Sequence, residues 1–163
     1  MDKAMSAAEL KEHIQGFLKE HREASLATSL NNIPRSSPVQ YSIGEDMNIY
    51  IFSAGGEKFH AIDENPNVCL LVNTEYISPR RIKGVQVFGK ATTSIQQSEI
   101  FDEAKAYVPD PFFIEHERES LKAIKIVPSE IVYLDSIDEG ERTKQILKNN
   151  QVIVKEESFI TLH

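Results

Sequence analysis

The N-terminal region carries the hydrophobic pattern of an amphipathic helix. Ser6, followed three residues later by Glu9, predicts a capping box at its start. Further along, apolar and polar residues alternate, which is the period of a half-buried β-strand. The helical stripe, spaced at i, i+4, i+7 and i+8, consists of Leu10, Ile14, Phe17 and Leu18.

Short alternating or apolar runs predict strands along the rest of the chain. The Asn31-Asn32 pair tolerates positive φ, so it predicts a hairpin turn between the first two runs. Tight turns favour antiparallel pairing, and the natural architecture is a mainly β (α+β) fold, a small barrel of about six strands with helices packed outside. Pro128-Ser129 separates the last two runs. The runs are residues 25–30, 39–43, 47–51, 67–73, 81–93, 121–127 and 130–135.

Two helical segments interrupt these strands. A short one follows Gly55-Gly56 and ends at Asn65-Pro66. A second one has amphipathic spacing and is stopped by Pro109 and Pro111. The strand NVCLLVN at 67–73 is apolar almost without a break, which predicts burial on both of its faces.

Length, charge and cysteine content narrow the class of protein. A chain of 163 residues fits one domain, with 1–138 as its main body and 139–163 as a charged C-terminal extension of the same domain. The net charge of −7 argues against nucleic acid, whose binding relies on neutralising phosphates. No apolar run is long enough for a membrane span or a signal peptide. With Cys69 as the single cysteine, we expect a reducing cytoplasm, and the scattered histidines suggest no metal site.

The loop SAGGEK, from Ser53 to Lys58, is the main candidate for chemistry. Glycines let backbone N–H groups face a ligand, and a helix beginning at Glu57 points its unpaired N–H groups and positive dipole end at the loop. Ser53 adds a hydroxyl and Lys58 adds a point charge, which together favour a phosphate site. The alternative is a plain turn followed by a solvated lysine.

The succession of segments from about residue 24 to 93 resembles the FMN-binding split-barrel superfamily, typified by pyridoxamine 5′-phosphate oxidase. The matching segments are ASLATSL, NNIPRSSPVQY, NIYIFSAGGEK, FHAIDENPNVCLLV and GVQVFGKA. The resemblance implies a six-stranded antiparallel split β-barrel with flanking helices that forms a homodimer and holds FMN between its subunits. It also implies site residues, with the phosphate at Ser53, Gly56 and Lys58 and the flavin ring at Ser37, Pro38 and Val39.

The chain departs from the oxidase itself at several positions. Glu57 stands where the oxidase has a phosphate-binding arginine, and Lys83-Gly84 replaces an Arg-Gln pair. The oxidase's substrate-phosphate motif and its C-terminal Arg-Leu-His segment have no counterpart. The candidate cations for compensating Glu57 are Arg35, Arg80 and Arg81.

Two functions follow from this resemblance. The first is an FMN-dependent oxidoreductase acting on a small redox substrate, in a bacterial branch separate from the oxidase and with no catalytic side chain assigned. The alternative is a non-catalytic split-barrel binding protein that holds haem or another phosphorylated ligand, or that has lost its flavin site.

Overall fold

The computed structural model describes residues 4–138 and 141–156, and this part of the chain forms an eight-stranded sheet with four α-helices and a short 3-10 turn. None of the helices described is long and apolar enough to cross a membrane. The elements are α1 (Ala7–Glu20), β1 (Glu23–Leu30), β2 (Ile33–Ile43), the 3-10 turn (Glu45–Met47), β3 (Ile49–Ser53), α2 (Glu57–Glu64), β4 (Asn67–Asn73), β5 (Lys83–Thr93), α3 (Glu99–Lys105), α4 (Pro111–His116), β6 (Lys122–Asp135), β7 (Lys144–Lys148) and β8 (Gln151–Lys155).

Every strand pairing is antiparallel, in the order β3-β2-β1-β4-β5-β6-β7-β8. β3 also pairs with β6, so each strand from β1 to β6 has a neighbour on both sides. The predicted class, a mainly antiparallel split-barrel fold with flanking helices, is confirmed. The strand count is higher than the six predicted, because a hairpin of β7 and β8 extends the sheet from β6.

The local signals at the N-terminal end are also confirmed. The capping box of Ser6 and Glu9 is present at the start of α1, and all four residues of the apolar stripe are buried. Asn31 and Asn32 both have positive φ, as a two-residue hairpin turn requires. Because its apolar stripe is buried, α1 packs against the core that the inner faces of the strands enclose.

The two late strands predicted on either side of Pro128-Ser129 are wrong, because β6 is one continuous strand. Its first half pairs with β3 and its second half with β7. The proline sits where the β5–β6 register shifts, between Phe88 and Gly89, and a bulge tolerates a residue without an N–H. A Cβ on Gly89 would lie 2.4 Å from the carbonyl oxygen of Val127, so the crossing of β5 and β6 requires glycine there.

Pro111 does not end the second helical segment but begins a new helix. α3 ends at Lys105, and Pro111 is the first residue of α4, where its missing N–H is harmless. The Asp110 side chain caps α4 by accepting from the N–H of Phe113 at 3.0 Å. α3 packs on β6, so this helical pair covers the outer face of the sheet near β3.

The outer face of β4 is not covered by the described chain, and here the predicted burial on two faces is wrong. Val68, Leu70 and Val72 point inward and are buried. Leu71 is 37 % exposed on the other face, and Cys69 beside it is half-buried.

Candidate functional site

Both glycines of the SAGGEK loop have a conformational reason to be there. Gly55 has φ 148° and Gly56 has φ 113°, values that residues other than glycine rarely adopt. Gly56 is the N-cap of α2 and, within the described residues, no side chain caps this helix. The first N–H groups of α2 therefore face the loop without a side-chain partner.

The two predicted phosphate-binding side chains converge on this loop. The Lys58 ammonium donates to the carbonyl oxygen of Gly55 at 2.7 Å, and the Ser53 hydroxyl donates to the same oxygen at 3.3 Å. Burial lowers the pKa of the Lys58 amine, and no ion pair to it is found in the part of the chain that the structure describes. A half-buried cation without a carboxylate partner is stabilised by an anion brought from outside.

A second cation, which the sequence does not point to, lies beside Ser53. Lys122 at the start of β6 is the direct antiparallel partner of Ser53 at the end of β3. Directly opposed residues in such a pair project from the same face of the sheet. Lys122 is half-buried and has no ion pair or side-chain hydrogen bond among the described residues. Lys122 reaches the loop through the pairing of β3 with β6. The spacing of residues in the sequence does not predict that long-range pairing.

Two of the three predicted ring-binding residues, Pro38 and Val39, lie along an open cleft of about 500 Å³. Pro38 is exposed in it, whereas Val39 is only 8 % exposed and its side chain belongs to the core, so Val39 offers mainly backbone. Ser37 does not line the cleft, because it lies on the opposite face of β2 from Pro38. The lining residues are Glu23, Ala24, Ser25, Pro38, Val39, Gln40, Leu71 and Asn73.

The loop and the cleft are neighbours along β2. The last pair of the β2–β3 ladder at this end is Tyr41 with Ile51, and the same register continued by two residues brings Val39 opposite Ser53. Ser53 therefore projects from the core-side face of the sheet, whereas Pro38 and Gln40 border the cleft on the other face of β2. None of Ser53, Gly56 and Lys58 lines the cleft itself. A ligand that uses both sites therefore needs a flat part on the cleft and an anionic part at the loop.

The structure gives the places of Glu57 and of the three arginines named as its compensation. Arg35 is exposed on β2, where it pairs with Thr28. Glu57 is exposed at the first position of α2. Arg81 donates from Nε to the carbonyl oxygen of Ile137, near the end of the β5–β6 ladder where Lys83 pairs with Asp135. A β-strand rises about 3.3 Å per residue, so this end of the ladder lies about 30 Å from the opposite end, where the SAGGEK loop is. Arg81 and its neighbour Arg80 therefore do not replace the missing arginine within one chain.

The described residues do not favour a metal site or a cysteine nucleophile. No group of three or more His, Cys, Asp or Glu side chains is arranged there to hold a metal ion. Burial raises the pKa of the Cys69 thiol, which disfavours the thiolate that a nucleophile needs.

The chain is similar in sequence to a known protein family. The family model described as pyridoxamine 5′-phosphate oxidase matches residues 10–135. The chain belongs to this family. No protein in the curated set matches the chain.

Solved structures share the fold of the family member described here. General Stress Protein 26 from Bacillus anthracis is 25 % identical with a TM-score of 0.57, over 77 % of this chain and 93 % of that one. A FAD-binding protein from Mesorhizobium loti is 22 % identical with a TM-score of 0.57, over 79 % and 94 %. A heme binding protein from Mycobacterium smegmatis is 15 % identical with a TM-score of 0.60, over 95 % of this chain and 60 % of that one.

Proposed function

We propose that the protein binds FMN at a homodimer interface and is an oxidoreductase for a small redox substrate. The observation that carries the proposal is the meeting of Ser53, Lys58 and Lys122 at the uncapped start of α2, next to an open cleft. Related folds include a FAD-binding protein, which supports a flavin. The flavin supplies two-electron redox chemistry, and the protein supplies binding, orientation and electrostatics.

The phosphate of FMN fits the chemistry of the loop. A terminal phosphate is a dianion, and Lys58 and Lys122 provide two positive charges for it. The first N–H groups of α2 and the Ser53 hydroxyl add neutral donors. The exposed carboxylate of Glu57 at the same helix start opposes a dianion, and the two lysines offset this repulsion.

The flavin ring fits the cleft beside the loop. Pro38 and Leu71 provide apolar surface, and the amides of Gln40 and Asn73 provide hydrogen-bonding groups at its border. These groups orient the ring and shield part of it from water. No acid or base of the chain is required for binding.

A second copy of the chain is proposed to cover the open side of this cleft. The run NVCLLVN has the composition of a strand buried on both faces, yet Leu71 and Cys69 face outward uncovered in one chain. An interface between two copies removes this apolar surface from water. The ring is then enclosed between subunits.

The phosphate assignment is tested by titrating the protein with FMN and with riboflavin, which has the same ring but no phosphate. For Lys58→Gln and Lys122→Gln we expect FMN affinity to fall about tenfold or more, the scale of a hydrogen bond to a charged group. Riboflavin affinity should stay unchanged. The exposed lysine in Lys11→Gln on α1 is the matched control.

Two results contradict the assignment. Unchanged FMN affinity in both variants removes these lysines from the site. An equal loss for FMN and riboflavin means that the substitutions disturb the ring cleft rather than a phosphate contact.

A non-catalytic binding protein is the second candidate. The carboxylate of Glu57 at the loop favours it, and so does the similar fold of a heme binding protein. The absorbance spectrum of the purified protein separates the two, since flavin bands support the first and a Soret band supports haem. Substrate turnover by the flavin-loaded protein excludes the second candidate.

A further inference from the structure

The phosphate site proposed at the SAGGEK loop carries less positive charge than a phosphate carries negative charge. Lys58 and Lys122 contribute two cations, and the carboxylate of Glu57 at the start of α2 opposes them, which leaves one net positive charge. A phosphate monoester carries a charge of about −1.5 to −2 at pH 7. A further cation within reach of the loop would balance it.

A polar strip on β2 lies on the same face of the sheet as Ser53. Ser37 and Arg35 project from the face on which Val39 enters the core, because side chains two positions apart on a strand share a face. The register continued from the β2–β3 ladder places Ser53 opposite Val39, on that same core-side face. Ser37, predicted to contact the ring, therefore faces the side of the loop rather than the cleft.

The loop after β3 runs toward this strip. β2 and β3 are antiparallel, so the chain beyond Ser53 heads toward the lower-numbered residues of β2. Arg35 lies about 13 Å along β2 from the level of Ser53, at about 3.3 Å per residue. The residues from Ala54 to Gly56 cover part of that distance, and the long arginine side chain can cover the rest.

The guanidinium of Arg35 has open space on the side of the loop. Thr28, its direct partner on β1, is 3 % exposed, and α2 packs on β1, so that side of the face is covered. The ladder on the other edge of β2 ends at Tyr41 with Ile51, and among the described residues no strand pairs with that edge beyond it. Arg35 is exposed and, within the part of the chain that the structure describes, makes no ion pair or side-chain hydrogen bond. It is therefore free to turn toward an anion at the loop.

We propose that Arg35 binds the phosphate of a phosphate monoester held at the SAGGEK loop and supplies the guanidinium that is missing at Glu57. The inference deepens the proposed function and rests on it for the identity of the ligand, FMN. A guanidinium pairs with two phosphate oxygens at once, whereas a lysine acts as a point charge. With Arg35 included, the side chains of the site carry two net positive charges, which match a phosphate dianion.

The test is a titration of the full-length protein with FMN, riboflavin and inorganic phosphate. Arg35→Gln should weaken FMN binding about tenfold and leave riboflavin binding unchanged, because only FMN carries the phosphate. Arg35→Lys should weaken FMN binding by a smaller factor, since it keeps the charge but loses the two-point contact. Lys11→Gln, which removes one positive charge from an exposed position on α1, is the matched control.

A rescue variant tests the compensation of Glu57 directly. Glu57→Arg in the Arg35→Gln protein places a guanidinium at the start of α2, next to Lys58. It should restore most of the lost FMN affinity while riboflavin affinity stays the same. FMN affinity that does not recover overturns the compensation.

The outcomes separate this inference from the flavin assignment. If FMN affinity depends on Lys58 but is equal for the wild type and Arg35→Gln, the flavin assignment stands and the role of Arg35 is overturned. If the wild type takes up no FMN, heat stability in inorganic phosphate at constant ionic strength decides. Stabilisation that is lost in Arg35→Gln keeps Arg35 as an anion-binding residue without a flavin, and stabilisation that is equal in both proteins overturns both assignments.

Discussion

The two faces of β4 both carry apolar side chains at the centre of the strand but have opposite surroundings. Inward, Val68, Leu70 and Val72 are packed in the core. Outward, Leu71 and Cys69 face a surface that the described chain leaves open. The inner face is completed by the chain itself, whereas the outer face depends on something that binds to it.

The largest expected difference between the faces is in stability. Leu70→Ala should lower the free energy of unfolding by about 2–5 kcal/mol, because it leaves a cavity in a packed core. Leu71→Ala should cost less than about 1 kcal/mol for the single chain, since the exposed site fills with water. Urea denaturation at low protein concentration measures both. Equal losses would mean that the outer face is already packed in the monomer.

Gly84 near the start of β5 and Gly89 at its bulge extend the same comparison to a second strand. Gly89→Ala on the inner face should destabilise by about 1–3 kcal/mol, because its Cβ would meet the Val127 carbonyl oxygen at 2.4 Å. Gly84→Ala on the outer face should change stability by less than about 0.5 kcal/mol. Its Cβ meets the Asn73 Cβ at 3.3 Å, which a small shift relieves. Thermal unfolding of the two variants shows which one loses more stability. A larger loss of stability for Gly84→Ala than for Gly89→Ala contradicts the assignment of faces.

A charge on the outer face should act on association rather than on folding. Leu71→Asp is expected to weaken the proposed dimer at least tenfold, since it buries an unpaired carboxylate at the interface. Analytical ultracentrifugation over a range of concentrations measures this. Lys11→Gln, which alters an exposed residue on α1 outside the cleft, is the control. A wild-type protein that is monomeric throughout the range rejects the dimer.

The smallest effect concerns the single thiol on that face. Burial raises the pKa of Cys69, so alkylation should still be accelerating at a pH where an ordinary thiol is already fully ionised. The unfolded protein, in which the shift is lost, should reach its plateau at lower pH. In Leu71→Asp the plateau rate at high pH should rise, because dimer protection is lost, although the new carboxylate on the same face raises the thiol pKa further. Identical profiles for folded and unfolded protein would show that Cys69 is not shielded.

The features that the sequence predicts correctly are those encoded by neighbouring residues. The capping box of α1, the Asn31-Asn32 turn and the start of α2 after Gly56 each depend on a few adjacent positions. The continuity of β6 was missed because Pro128 has the local signature of a strand end, and only the partner strands show that it occupies a bulge.

The candidate site was predicted in part for the same reason. Ser53 and Lys58 lie in one motif, but Lys122 reaches them only through long-range pairing. The apolar run of β4 indicates that both faces avoid water without saying which molecule covers the outer one. The hairpin of β7 and β8 turns at Asn149-Asn150, which carry positive φ as Asn31-Asn32 do, but its place in the sheet is set by its pairing with β6.

The pairing of β3 with β6 also has a consequence for how the chain folds. It joins segments roughly seventy residues apart, whereas β1 with β2 and β7 with β8 are local hairpins that form quickly. We therefore expect the loop closure that brings β6 to β3 to be a late step of folding. Because Ser53 and Lys122 meet only in that step, a ligand that contacts both binds the finished fold and not its precursors, and it slows unfolding by mass action.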